Sequence, residues 1–198
     1  NAVLREFYRE RSVVMEERRM GEAEPSRVLW ETLGSNAFTI HPYHNPTIGW
    51  MEDIKRLTRT DAEAFFKAFY VPNNATLAVV GDVDPAEVIA LAEKYFSDWE
   101  SRPLPERDYP AEPPQKSEKI IKVPFKAQPA LRIGFHNPGM DHPDIYAVIM
   151  ACEVLTNGKT GRFYKNLVEG RELALHAWAY PSYPGSRYPS LTVIAAAP

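Results

Sequence analysis

Cysteine is almost absent from this 198-residue chain: Cys152 is the single one, so no disulfide can form within it. That excludes a small disulfide-stapled scaffold but leaves the compartment open, because secreted proteins without disulfides are common. Long apolar runs are missing as well; none approaches the ~18 residues of a membrane-spanning helix. An excess of positive charge is also missing. With 23 Lys and Arg against 26 Asp and Glu, the net charge is −3, whereas a nucleic-acid-binding surface is usually strongly basic. No initiator methionine or leader-like run stands at Asn1, and the end, Leu191–Pro198, is strand-like. The expectation is a piece of a longer protein, so a missing signal peptide does not separate bacterial periplasm from cytoplasm, and localisation stays unknown.

What is present is an ordinary globular balance, 44% hydrophobic and 25% charged, in a length that suits one or two domains of roughly 100–200 residues. Such a chain can bury a core without metal or disulfide staples. Proline is plentiful, 18 residues of 198, and residues 101–118 alone hold five prolines and seven charged residues. That composition cannot supply a core and reads as a linker over 101–117. It separates residues 1–100 from 118–198.

Periodicity predicts a helix over 2–20, with Val3, Phe7, Glu10, Val14 and Glu17 on one face. A second helix runs from Arg27 to about Ala37. Prolines 42 and 46 make 39–48 a loop. Thr60 or Asp61, with Glu63 in a capping box, starts a helix over Ala62–Tyr70. Ala75–Val80 is an apolar strand. Asp84 and Pro85 open a helix with a buried stripe of Val88, Leu91, Ala92 and Tyr95. After the linker come strands at Lys119–Val123 and Ala130–Phe135, helices at about Asp144–Leu155 and Arg162–Val168, and strands at Leu173–Tyr180 and Tyr188–Ala197. The order points to an α+β fold, a mainly antiparallel sheet backed by helices.

Glu10 and Glu17, seven residues apart, project from one helix face, and Phe7 and Val14 share it. A carboxylate on an apolar stripe must be paired, hydrogen-bonded or bound to a cation. Pairing with Arg5, Arg9, Arg11, Arg18 or Arg19 answers the pattern as well as a metal does. His41-x-x-His44 has metal-like spacing but sits in a proline-rich loop with no third ligand near it, which favours a structural or surface role. Gly158-Lys-Thr160 is no phosphate loop, since Glu153 stands where the first glycine is required. Trp178, Tyr180, Tyr183 and Tyr188 read as core and strand packing. Cys152 reads as a buried inert thiol. No Ser/His/Asp signature is present.

The segment Glu10-Arg-Ser-Val-Val-Met-Glu-Glu17 resembles the Glu-Arg-x-x-Val-x-x-Glu segment of the pitrilysin/insulinase family of zinc peptidases. Ser35-Asn-Ala-Phe, His41-Pro-Tyr and Pro46-Thr-Ile-Gly-Trp50 resemble that family's following loop. The run from Thr60 through Phe69-Tyr-Val-Pro-Asn-Asn-Ala-Thr-Leu-Ala-Val-Val-Gly-Asp82 is similar to a distinctive family block. Gly161-Arg-Phe-Tyr-Lys-Asn-Leu167 is similar to the short helix of its second domain. The resemblance covers essentially the whole chain. It implies two partial metalloenzyme-like (LuxS/processing-peptidase-like) domains. Residues 1–100 are the later part of one and 118–198 the earlier part of the next.

The resemblance also implies roles. The family's zinc site is an inverted His-x-x-Glu-His motif plus a downstream glutamate. Glu17 matches that third ligand, and Glu10 matches a second acid that supports the metal site. The chain's five histidines, 41, 44, 136, 142 and 176, include no His-x-x-Glu-His. The reading is therefore a zinc-dependent endopeptidase acting on peptide substrates, with zinc in the parent protein and none held by this piece, which is inactive alone. Active relatives also carry an Arg and a Tyr seven residues apart, where this chain has Val168 and Leu175. In two-subunit relatives a homologous partner subunit carries that pair. The alternative is a non-catalytic, substrate-binding scaffold subunit. Truncated sheets expose edges, so self-association is expected.

Overall fold

The computed structural model describes residues 4–198. The start of the predicted first helix, Val3 included, lies outside them. The elements in order are α1 (Phe7–Glu22), α2 (Pro25–Ala37), α3 (Met51–Arg56), α4 (Arg59–Phe69), α5 (Pro85–Phe96), β1 (Leu131–Asn137), α6 (Ile145–Thr156), β2 (His176–Tyr183) and β3 (Ser190–Ala197). Short 3-10 turns lie at Pro42–His44, Pro72–Asn74 and Gly158–Thr160, and a π-helical turn at Tyr164–Glu169. The α+β class holds.

Local chemistry starts three of the helices. Glu24 caps α2 through its carboxylate on Ser26 N at 3.3 Å, ahead of Pro25 at the first position. The box at α4 differs from the expected one. Thr58 and Asp61 cap reciprocally, with Thr58 N donating to Asp61 at 2.8 Å and Asp61 N donating to Thr58 Oγ1 at 3.3 Å. Glu63 instead pairs with Arg59 at 2.7 Å. Asp84 caps α5 through Ala86 N at 2.7 Å.

The chain forms two compact units. The first takes residues through Val14 together with Glu52–Asp108. It is helical: α3, α4, α5 and the start of α1. Ala75–Val80 is not a strand, and Leu77 and Val80 are 62% and 96% exposed. A strand exists only through a partner, and none of the described residues pairs with this run. For the same reason α5 does not bury its expected stripe: Val88 and Ala92 are half-buried, but Leu91 and Tyr95 are exposed.

The second unit takes Met15–Met51 together with Tyr109–Pro198. Division by packing therefore runs along a different line from the sequence division at 101–117. Its sheet is antiparallel in the order β1-β3-β2. Lys119–Val123 forms no strand. Phe38, Leu191 and Val193 form the fully buried centre, with Trp30, Leu33, Tyr43 and Tyr183 around them. Opposite Val193 sits Gly134. A Cβ there would come within 3.1 Å of Leu33 and 3.2 Å of Leu191, so glycine lets the α2 side chains press onto β1. In a separate cross-strand row two residues along, Arg132, Ala195 and Trp178 are neighbours. The Arg132 guanidinium lies 5.2 Å from the Trp30 ring and 5.5 Å from the Trp178 ring. Against β2, α6 buries Ile145 and Cys152. Burial pushes the Cys152 thiol up, as expected of an inert cysteine.

Tyr183 ties α2 to the sheet, its hydroxyl donating to Trp30 O at 3.0 Å. Burial, then the Glu31 carboxylate, pushes its phenol up to about 12 from 10.0. A raised folded value means this contribution is complete below pH 10 and is lost as pH rises through 12. Thermal melts of the 198-residue chain should therefore fall steeply between pH 10 and 12. Tyr183→Phe should flatten that limb and cost about 1 kcal/mol at neutral pH through the lost hydrogen bond.

Candidate functional site

Helix α1 carries the candidate acids, and the structure turns it differently from the periodicity reading. Its inward stripe is Phe7, Arg11, Val14, Arg18 and Gly21, of which Arg18 and Gly21 are buried and the others half-buried. That stripe has the same 4-3-4-3 spacing as the expected one. From Arg11 onward it lies one position along from Glu10 and Glu17, which are both exposed. One position on a helix is about 100° of rotation, which moves the two carboxylates off the packed side.

Arginine turns inward because acceptors meet its Nη1 donors there, although the Arg11 Nε is buried without a partner. In the first unit Arg11 donates from Nη1 to the carbonyls of Lys55 at 3.0 Å and Leu57 at 2.7 Å, at the end of α3. These are the carbonyls a helix end leaves without internal partners. In the second unit the Arg18 Nη1 donates to both Glu31 oxygens at 2.7 and 2.6 Å, and its Nε donates to Glu22 at 3.1 Å. Its guanidinium also lies 5.5 Å from the Trp50 ring. Arg19 pairs with Glu16. Three of the five arginines that could have neutralised Glu10 and Glu17 are thus committed elsewhere. Among the described residues neither glutamate makes an ion pair.

No group of three or more His, Cys, Asp and Glu side chains capable of holding a metal occurs among the described residues. The donors present do not make a zinc site. Of the expected set, Glu17 stands alone, and the nearest candidate acid, Glu10, is two helical turns away.

The loop histidines serve structure. His41 is 5% exposed, and its Nδ1 accepts Tyr43 N at 3.1 Å, capping the Pro42–His44 turn. Burial lowers its pKa against the pull of Glu112, so it is neutral and carries its proton on Nε2. His44 donates from Nδ1 to Phe38 O at 2.9 Å. The two side chains hold the loop around Phe38, and no third ligand joins them.

Val168 is half-buried and Leu175 exposed. Both line a shallow depression of about 330 Å³ that also includes Tyr164 and His176. Neither offers the hydrogen-bond donors that an Arg/Tyr pair provides. The residue that sequence reasoning passed over is Glu112 in the proline-rich stretch. Its partners lie 71–73 positions away, and no local pattern signals them.

This arrangement is a known one. The crystal structure of a protease from Helicobacter pylori superposes on the whole chain with a TM-score of 0.82 at 30% identity, the chain covering 48% of it. In sequence, residues 56–197 match the family model described as the peptidase M16 inactive domain. The chain belongs to the M16 peptidase family. Zinc protease PqqE of Helicobacter pylori is 32% identical over 183 residues, spanning 88% of this chain and 40% of that protein. A probable mitochondrial-processing peptidase subunit beta of Schizosaccharomyces pombe is 26% identical over 155 residues, or 75% of this chain and 34% of that one. The chain thus spans well under half the length of these relatives. It corresponds to part of a metallopeptidase-family protein, matched over residues 56–197 to the inactive-domain model.

Because Glu10 and Glu17 are exposed and unpaired, Glu10→Ala and Glu17→Ala should each leave the chain's stability within about 0.5 kcal/mol of wild type. Arg11→Met removes two hydrogen bonds to carbonyls and should cost about 1–3 kcal/mol. Denaturant melts of the three variants measure the contrast.

Proposed function

We propose that this chain is part of a zinc-dependent metalloendopeptidase that processes or degrades peptides, and that it is inactive by itself. Glu17 is the carboxylate this chain contributes to zinc in the longer protein, and Glu10 supports it. One observation carries the reading. Two acidic side chains stand unpaired on an open helix face, while three arginines that could neutralise them hold other groups. Seven residues apart, the two carboxylates project from one side of the helix, where a cation held by the longer protein can meet them. The names of the curated relatives support zinc and peptidase activity for the family.

A second reading has its own support. Val168 and Leu175 are apolar where active relatives have Arg and Tyr, and the matched model describes an inactive domain. A non-catalytic substrate-binding subunit of a two-subunit peptidase fits both. On the first reading the Arg/Tyr pair comes from a homologous partner subunit; the processing-peptidase relative is itself named as a subunit. We further infer that residues 1–100 and 118–198 descend from two consecutive peptidase-like domains.

Zinc titrated calorimetrically into the 198-residue chain should show no tight site. A nanomolar site lost in Glu17→Ala would overturn the expectation for the chain alone. In a longer protein containing an upstream His-x-x-Glu-His, Glu17→Ala should abolish stoichiometric zinc. Retained zinc there would sink the assignment of Glu17, and a degraded upstream motif would favour the scaffold.

The edge strands β1 and β2 each lack an outer partner among the described residues, which supports self-association of the chain. Sedimentation at increasing concentration should show mass above the monomer. A strictly monomeric profile throughout would count against it.

A further inference from the structure

Residues 101–117 read in sequence as a free tether, yet each half is tied to its own unit. In the first unit Asn73 Nδ2 donates to Arg102 O at 2.9 Å, and its Oδ1 accepts Arg102 N at 3.3 Å. The Arg107 guanidinium lies 4.1 Å from the Phe69 ring centroid. In the second unit the fastening is stronger and centres on one carboxylate. Glu112 Oε1 accepts Thr39 N at 2.7 Å and Thr39 Oγ1 at 2.5 Å. Glu112 Oε2 accepts Ile40 N and His41 N, both at 3.0 Å.

We propose that residues 109–119 are a strap latched by Glu112 onto the Thr39–His41 corner. With this latch the proline-rich stretch belongs to the folded unit and is not a spacer beside it. Three successive backbone N–H groups and one hydroxyl converge on two oxygens, a receptor for one carboxylate. Among the described residues no basic side chain pairs with Glu112. Its charge is met by fixed donors, and charge-assisted hydrogen bonds of this kind are the strong ones. Partial desolvation works to raise the Glu112 carboxyl, but the Thr39 hydroxyl and the N–H groups of His41, Ile40 and Thr39 outweigh it and hold it at about 2.

Two further contacts flank the latch. Tyr109 packs 5.2 Å from Tyr188 and 6.0 Å from His41, closing an aromatic box around an imidazole whose Nε2 has no hydrogen-bond partner. Lys119 Nζ donates to Asn36 O at 2.7 Å, on the same corner. Pro110, Pro113 and Pro114 preset the strap's backbone, so ordering it costs less entropy than ordering an ordinary loop. The prolines that make the segment look like a spacer are what make it a good strap.

Trypsin provides the test on the full 198-residue chain. Lys116 lies in the strap four residues past Glu112, and Arg132 in β1 serves as the internal control. In wild type, cleavage after Lys116 should run at least ten-fold slower than in a free peptide of residues 109–124. Glu112→Gln should accelerate it roughly ten-fold, and Thr39→Val, which removes one donor of four, by less, with cleavage after Arg132 unchanged in both. Wild-type cleavage after Lys116 at the free-peptide rate would overturn the proposal. So would an acceleration in both variants shared equally by Lys116 and Arg132, which would report general loosening and no latch.

Discussion

The second unit depends on the burial of Phe38. It stands just past the end of α2, fully enclosed against Leu191 and Val193 of β3. The contact joins residues more than 150 positions apart in sequence, and burying a phenylalanine side chain outright is worth about 1.5–3 kcal/mol. Everything around it follows that placement. Gly134 is small so that Leu33 can reach the sheet, Tyr183 bonds back to Trp30, and the loop histidines curl over the Phe38 ring and its carbonyl. This anchoring explains why Met15–Met51 groups with Tyr109–Pro198 although a proline-rich stretch lies between them in sequence.

Helix α1 shows how a correct element can be read with its faces misplaced. Its existence was legible from a 4-3-4-3 spacing. That spacing is satisfied equally by Glu10 with Glu17 and by Arg11 with Arg18, because each pair is seven residues apart. Hydrophobicity alone did not choose between them, since Phe7 and Val14 sit beside both. The choice came from partners distant in sequence: the carbonyls of Lys55 and Leu57 for Arg11, and Glu31 for Arg18. A long guanidinium side chain can be turned inward where its Nη donors find carbonyl or carboxylate acceptors, whereas an unpaired carboxylate cannot. The acids accordingly stay open to solvent, where a metal or a second chain can reach them.

The expected strands at Ala75–Val80 and Lys119–Val123 fail for one reason. Strand propensity describes a residue's suitability for a pleated surface, but a strand is made by the ladder beside it. Ala130–Phe135, Leu173–Tyr180 and Tyr188–Ala197 did become strands, with ends shifted by a few residues, because each found a neighbour in the order β1-β3-β2.

By itself, the sequence determined what short-range rules govern: most helices, the Asp84 cap of α5, the α+β class, the lack of an internal disulfide and of membrane-spanning helices, and the family resemblance carried by Glu10 through Glu17 and the block ending at Asp82. It also exposed the missing His-x-x-Glu-His. Only tertiary structure decided which side of α1 faces inward, which predicted strands exist, and which unit each segment joins. It also revealed that Glu112, an unremarked acid among prolines, meets a corner of main-chain N–H groups 71–73 residues away. Those outcomes hang on partners distant in the chain. A local pattern can state that a group needs a partner, but only the packed fold supplies one.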